Sequence, residues 1–360
     1  MNNEYLFKLD QETAFAAFWL QDQWRSDTVL GIPTLDVVTD GKDTYIKVVS
    51  ALSRQEVMAD LMALLTKVHT TDEIGYPLFV ELEEKPATIN SVVIDGELLI
   101  PDGVTTIPET AFARRNDIIS IVIPDSVRYI GGCAFSDCEN LAKVTIGENV
   151  RSIGNGAFWH CKNLTNLVIP NSTLNIGFDA FGVCDNLTNI RFGDNLKSIE
   201  GYAFRRTKIQ NITIPDTVEE IGQSAFEYCT NLTNVRLPNN ITYIADETFM
   251  GCTGLLRIQI PEKVTRIGRD AFRECSSLKH VSMGKSLECI DQDAFYGCES
   301  LTKIILPDNV WGVGCGAFVE CPNLKEVVVS KHTFDIIRDG SPIWEPAREF
   351  DNDDIIVVKQ

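Results

Sequence analysis

Phenylalanine recurs along this chain at an almost fixed interval. Ten of these residues lie 23 apart, apart from a single 22-residue step. They are Phe112, Phe135, Phe158, Phe181, Phe204, Phe226, Phe249, Phe272, Phe295 and Phe318. Self-similarity at a fixed short period is the signature of a solenoid, in which no unit buries its apolar face without its neighbours. The spacing therefore predicts ten stacked coils over roughly residues 92–330.

The apolar positions around each phenylalanine form the unit A-F-x-x-C-x-x-L-x-x-[IV]-x-[ILF]-[PG]-x-x-[VIL]-x-x-I-G, as in residues 157–177. Its β-rich segment L-x-x-L-V-I predicts a short strand that stacks on its equivalent in the next coil, giving one parallel sheet. The following Pro or Gly ends the strand. The [VIL]-x-x-I-G segment is predicted to turn the chain, with Gly free to adopt positive φ. The spacing of Phe, Cys and Leu predicts one to two turns of α- or 3₁₀-helix.

This unit resembles the leucine-rich repeat family, specifically its BspA-like type, whose repeats carry the same A-F-x-x-C-x-x-L and I-P signatures. The resemblance covers about residues 92–330. It implies an α/β solenoid, a right-handed superhelix with one parallel sheet, and it implies protein recognition. Three regions are expected: a small α/β N-terminal cap or module at 1–88, the solenoid at 89–332 and a C-terminal cap at 333–360.

The segments that flank the repeats, and the one irregular step, have patterns of their own. Residues 1–88 predict a helix over 11–24, a hairpin around Asp40-Gly41, a second helix over 53–68 and a strand over 78–82. Asp95-Gly96 predicts a tight hairpin turn at the start of the solenoid. Between Phe204 and Phe226 one residue is missing and Thr207 replaces the repeat Cys, so we expect a shortened turn there.

The charge of the chain narrows the choice of partner. The formal net charge is −19 and the isoelectric point about 4.6, which disfavours nucleic acid and anionic membranes as partners. The N-terminal residues have no basic and apolar leader pattern, and no apolar run approaches a membrane span. These features predict a cytoplasmic protein, with secretion by a leaderless route as the alternative. The sequence does not specify an oligomeric state.

Eight of the eleven cysteines occupy one repeat position, three residues after a phenylalanine. They are Cys138, Cys161, Cys184, Cys229, Cys252, Cys275, Cys298 and Cys321. Equivalent side chains in adjacent coils run parallel, whereas a disulfide needs two Cβ atoms angled together, so buried reduced thiols are expected. Cysteines 23 apart do not match zinc spacing, and the four histidines are scattered. No catalytic constellation, metal or cofactor is predicted.

Two positions in each strand flank the inward Ile or Val and should face solvent. Over ten coils these 20 positions hold five Lys or Arg and one acidic residue, although acidic residues outnumber basic ones 51 to 32 in the chain. We interpret part of this face as a recognition stripe for a partner protein with an acidic surface. The candidate binding residues are Asn189, Arg191, Asn234, Arg236, Arg257, His280 and Lys303.

Two other interpretations of these rows stay open. An acidic row follows the strands and would neutralise the basic stripe as surface ion pairs; its members are Asp125, Glu148, Asp194, Asp216, Glu262 and Asp308. The stacked asparagines would either hydrogen-bond along the solenoid as an amide ladder or contact a ligand; they are Asn166, Asn189, Asn211 and Asn234.

The pattern as a whole predicts a non-enzymatic scaffold that binds a partner protein through the sheet face of its repeats. One alternative assigns the specific activity to residues 1–88, in an effector or regulator with the repeats as scaffold. The other is an exported cell-surface adhesin, because BspA-like relatives are often exported.

Overall fold

A computed structural model describes the backbone of residues 3–9, 34–39, 44–50, 92–94, 96–331, 334 and 356–359. The chain divides into two compact units, Met1–Ile89 and Asn90–Gln360. The first contains an antiparallel sheet of Asn3–Leu9, Thr44–Ser50 and Thr34–Thr39, in that order. Thr39 pairs with Thr44, which confirms the hairpin around Asp40-Gly41. The helices predicted at 11–24 and 53–68 and the strand at 78–82 lie outside the described residues.

The second unit stacks its coils through two rows of strands, which we call the front row and the side row. The front strands are Glu97–Leu99, Ser120–Val122, Lys143–Thr145, Asn166–Val168, Asn189–Arg191, Asn211–Thr213, Asn234–Arg236, Arg257–Gln259, His280–Ser282, Lys303–Ile305, Glu326–Ser330 and Ile356–Lys359. The side strands are Thr106–Ile107, Tyr129–Ile130, Ser152–Ile153, Asn175–Ile176, Ser198–Ile199, Glu220–Ile221, Tyr243–Ile244, Arg266–Ile267, Cys289–Ile290 and Gly312–Val313. Pairing between coils is parallel and in register. Val92–Ile94 begins the front row as an antiparallel hairpin with Glu97–Leu99, as predicted from Asp95-Gly96.

The side row corrects the prediction of one sheet with one strand per coil. The [VIL]-x-x-I-G segment forms a second strand, and its glycine does not adopt positive φ. The glycine is needed for another reason. A β-carbon on Gly131 or Gly222 would overlap the backbone of the preceding coil, at Glu109 or Gly201. These glycines therefore allow close stacking of successive coils.

The segment around each phenylalanine is a series of turns, so the predicted helix is wrong and the solenoid is mostly β. In every coil the residues two before and two after the phenylalanine adopt left-handed φ, for example 61° at Gly156 and 62° at His160. Such residues interrupt helical hydrogen bonding. Alternate N–H groups instead donate to the next coil, as Phe158 N–H does to Ala180 O at 2.8 Å. Residues 96–330 contain no helix.

The phenylalanines form one continuous column through the core. Neighbouring rings stack nearly parallel, with centroids 5.0 Å apart between Phe135 and Phe158 and 5.6 Å apart between Phe204 and Phe226. Phe158 and Phe272 are fully buried, as predicted. Offset stacking at this distance adds to the hydrophobic gain of burial. The column therefore links all ten coils, including the irregular one.

The repeat cysteines support the same column by hydrogen bonding. Each thiol donates to the carbonyl oxygen of the phenylalanine in the preceding coil, at 3.1 Å for Cys252 and Phe226 O and 3.2 Å for Cys161 and Phe135 O. All eleven cysteines are free. Seven of the eight repeat thiols are buried as predicted, and Cys321 is half-buried. A small apolar side chain with a weak donor therefore suits this position.

The irregular step shortens the turn as expected. The turn that normally follows the cysteine position is missing at Lys208 and Ile209, and the Thr207 hydroxyl donates to Phe204 O of its own coil. The front row breaks here, between Asn189–Arg191 and Asn211–Thr213. It also breaks between His280–Ser282 and Lys303–Ile305, which the spacing did not predict.

A glycine marks both breaks. Gly193 and Gly284 stand where most other coils have proline, each two residues after the strand that loses its partner. A β-carbon on either would overlap the carbonyl of the proline one coil earlier, Pro170 or Pro261. Gly147 makes the same close contact with Pro124, yet its strand Lys143–Thr145 is paired on both sides, so the glycine alone does not cause a break.

We expect Phe158→Ala to destabilise the protein by about 3–5 kcal/mol, because it removes one ring from the buried column and leaves a cavity. Phe178→Ala is the matched control, since Phe178 lies at the start of the next coil, outside the buried column, and is 46% exposed; its cost should be below about 1 kcal/mol. Urea unfolding of both variants measures the difference. Equal losses of unfolding free energy in the two variants would contradict a stabilising role of the buried phenylalanine column.

We expect thiol-reactive probes at pH 8 to label Cys133 and Cys315 quickly, because both are exposed. The half-buried Cys289 should react more slowly, since burial and then the charge of Asp291 raise its pKa to about 11 and the thiolate is the reactive form. Burial likewise raises the pKa of Cys138 to about 11. Mass spectrometry of quenched time points assigns each site. Rapid native labelling of Cys138 or Cys161 would contradict the packing.

Candidate functional site

The front row presents two outward side chains from each coil, because residues alternate between the faces of a strand. In Arg257–Gln259 the outer two residues are exposed and Ile258 is buried. In Asn234–Arg236 and His280–Ser282 the central Val235 and Val281 are only half-buried. All seven candidate binding residues are exposed on this front face.

The asparagines form amide ladders. The Asn189 amide donates to Asn166 Oδ1 at 2.9 Å, and that of Asn234 donates to Asn211 Oδ1 at 3.0 Å. The two ladders are separated by the first break in the front row. These bonds support the structural interpretation of the asparagine row, since each amide joins adjacent coils.

The acidic row also joins adjacent coils. Asp216 Oδ1 accepts the Asn239 backbone N–H at 2.9 Å, and Asp125 Oδ1 accepts that of Glu148 at 2.7 Å. A carboxylate here therefore satisfies a backbone donor one coil away. The acidic residues that follow the strands therefore have a structural role, because they join adjacent coils.

Only part of the basic stripe is neutralised. Arg236 Nη2 lies 2.7 Å from Asp216 Oδ2, and Lys303 Nζ lies 2.8 Å from Glu326 Oε1. Within the described part of the chain, the side chains of Arg191, Arg257 and His280 make no ion pair or hydrogen bond. Ion pairs thus neutralise two of the five basic residues among the candidates, Arg236 and Lys303.

A groove of about 680 Å³ lies on the front face between the strands of residues 234 and 305. It gathers five of the seven candidate residues and leaves out Asn189 and Arg191. Its sixteen lining residues include five basic side chains and no acidic one. The basic residues are Arg236, Arg257, Lys279, His280 and Lys303. The second break in the front row lies within the groove.

Lys279 was missed by the sequence analysis because only the two outward strand positions were considered. It stands immediately before the strand His280–Ser282, yet it is exposed and lines the groove. Its side chain makes no ion pair or hydrogen bond to the described residues. The sequence signal that could have identified Lys279 is the pair of adjacent basic residues Lys279-His280. His280 occupies the repeat position of Arg257 and pairs with it in register.

Two further kinds of feature are absent from the described residues. No three His, Cys, Asp or Glu side chains there converge as a metal site. No helix in that part of the chain has the length and apolar character needed to span a bilayer.

Comparison with known families agrees with the coil geometry. The family model of the BspA type leucine rich repeat region matches residues 105–233 and 219–340, with six copies. These segments together span about two thirds of the 360 residues. The chain belongs to the BspA-type leucine-rich repeat family. Members of this family are typically non-enzymatic and typically act as surface or interaction scaffolds.

Several solved structures are similar to this chain. A leucine rich cell surface protein from Faecalibacterium prausnitzii is 24% identical, with 67% of this chain and 80% of that chain covered and a TM-score of 0.40. A T. pallidum leucine rich repeat protein is 29% identical over 51% and 78%, with a TM-score of 0.39. A Bacteroides ovatus leucine-rich repeat protein is 21% identical over 74% and 94%, with a TM-score of 0.34. A search of curated proteins found no match.

The Arg236–Asp216 pair makes a testable prediction about pH. The hydrogen bond from Arg236, and then the Asn239 backbone N–H, lower the pKa of Asp216. Because the folded pKa is depressed, the stabilisation is present above the unfolded value of about 3.9 and is lost as pH falls through the folded pKa. An NMR titration of the Asp216 carboxyl should show a midpoint below that ordinary value, and Arg236→Gln should raise it. An unchanged midpoint in Arg236→Gln would contradict the pair.

Proposed function

We propose that this leucine-rich repeat protein is a non-catalytic recognition scaffold that binds a partner protein through its front face. The recognition stripe consists of Asn189, Arg191, Asn234, Arg236, Arg257, His280 and Lys303, and the partner presents an acidic surface. The observation that carries the proposal is the groove on this face, with five basic and no acidic lining residues in a chain of net charge −19.

The basic groove should affect the rate of association as well as the affinity. Arg257 and His280 pair in register on neighbouring strands, which lie about 4.8 Å apart. No acidic side chain lines the groove beside them. An acidic partner would therefore be attracted from a distance, so that association speeds up at low salt.

A second candidate function places the specific activity in the N-terminal unit. The observation that favours it is the compact unit Met1–Ile89 with its own antiparallel sheet. In that case the solenoid would serve as a scaffold, and charge changes on its front face would leave the activity intact. A cytoplasmic location is a separate proposal, with the cell surface as its alternative. Fractionation of the host cells tests it.

The test replaces Arg236 and Arg257 by Glu and measures affinity for a partner captured from the native host. We expect a loss of about tenfold or more, with the larger effect at low salt. The melting temperature should change little, because exposed charges contribute little to stability.

The control for this variant is the double change Arg128→Glu and Arg151→Glu. Both residues are exposed, and both lie just before side strands, away from the front face. The control alters the net charge equally, so it separates a local contact from the total charge. Equal binding by the front-face variant and the wild type would overturn the proposal and move attention to residues 1–89.

A further inference from the structure

Within the front face, three basic side chains of the groove have no partner among the described residues: Arg257, Lys279 and His280. The other two basic lining residues, Arg236 and Lys303, are already held by Asp216 and Glu326. The groove thus has a free basic centre flanked by neutralised pairs. An anionic ligand would meet its strongest attraction at the centre.

The centre is built into a concave part of the face. Its lining includes the exposed Ile305 and the half-buried Val235 and Val281, beside the polar side chains of Asn234 and Gln259. Apolar surface with a few convergent polar and charged groups is the usual composition of a binding groove. The groove spans four coils, so it suits an extended segment better than a single small ion.

We propose that this groove binds an extended segment of the partner protein that carries neighbouring Asp or Glu side chains. Arg257, Lys279 and His280 contact the carboxylates, and Lys279 is a binding residue that lies outside the recognition stripe. Arg191 contributes little, because it lies beyond the first break in the front row and outside the groove. The proposal rests on the proposed function and narrows its footprint from the whole stripe to four coils.

Charge complementarity identifies the occupant. Arg257 offers a planar fork that binds carboxylates with two parallel hydrogen bonds, and Lys279 adds a mobile point charge. No acidic side chain lines the groove to compete for these donors. A basic or neutral segment would leave the cations unpaired, whereas neighbouring carboxylates satisfy them together.

The test uses the full chain with two labelled peptides, octaglutamate and octaglutamine, in fluorescence anisotropy at low and moderate salt. Octaglutamate should bind, with an affinity that falls as salt rises, and octaglutamine should not. Arg257→Gln with Lys279→Gln should weaken octaglutamate binding about tenfold or more. The matched double variant, Arg128→Gln with Arg151→Gln, removes the same charge elsewhere and should change it less than about twofold.

Arg191→Gln separates this proposal from the broader one. If Arg191→Gln weakened octaglutamate binding as much as Arg257→Gln does, the groove proposal would be overturned. The proposal that the front face is the binding surface would stand. A second result would also overturn only the groove proposal. In that result octaglutamate does not bind the wild type, yet the Arg236 and Arg257 double variant still loses binding to the partner. Partner binding unchanged in that double variant would overturn both.

Two further outcomes assign the groove to another occupant and so overturn the proposal. The first is tighter binding of a phosphoserine peptide of equal net charge than of octaglutamate. The second is self-association of the wild type in sedimentation velocity that is lost in Arg257→Gln with Lys279→Gln, which would place a second copy of the chain there. Unchanged circular dichroism of each variant verifies that the loss is local.

Discussion

Stacking of identical positions is the constraint on which the rest of this protein depends. No coil can bury its apolar face alone, so each must offer the same side chains to both neighbours. The phenylalanine column meets this need in the core, and the repeat thiols bond the backbone carbonyls of eight of the ten phenylalanines to the next coil. Backbone N–H groups donate in the opposite direction, to the following coil, as from Phe158 N–H to Ala180 O. Stability in such an arrangement is mainly a sum of contacts between neighbours.

The same constraint explains why much of the surface is structural. Asp216 satisfies Asn239 of the next coil, and Asn234 donates to Asn211 of the preceding one. These side chains have a structural role whether or not a partner binds, because each makes a hydrogen bond between coils. A residue on the front face is therefore a stronger candidate for recognition when it makes no contact within the chain. Arg257 and Lys279 meet that condition among the described residues.

Irregularity in the repeat coincides with the places where the front face changes. The 22-residue step interrupts strand pairing, yet it leaves the ring stack intact at Phe204 and Phe226. Gly284 accompanies the second interruption, which lies within the groove. A solenoid tolerates such local changes because each coil contacts only its neighbours. The core can thus stay continuous while the surface varies from coil to coil.

The sequence by itself determined the number of coils, the buried column and the reduced thiols, because each follows from a side chain that repeats at a fixed interval. It also determined which strand residues face outward, from the period of two. Tertiary structure alone decided that the Phe segment is a run of turns, since φ at positions such as His160 depends on bonds to the next coil. It likewise decided that Arg236 is paired with Asp216, that Arg257 has no partner among the described residues, and that Lys279 joins the groove. Contacts between residues about 20 or more positions apart leave no mark in a single coil's pattern, so only the stacked coils reveal them.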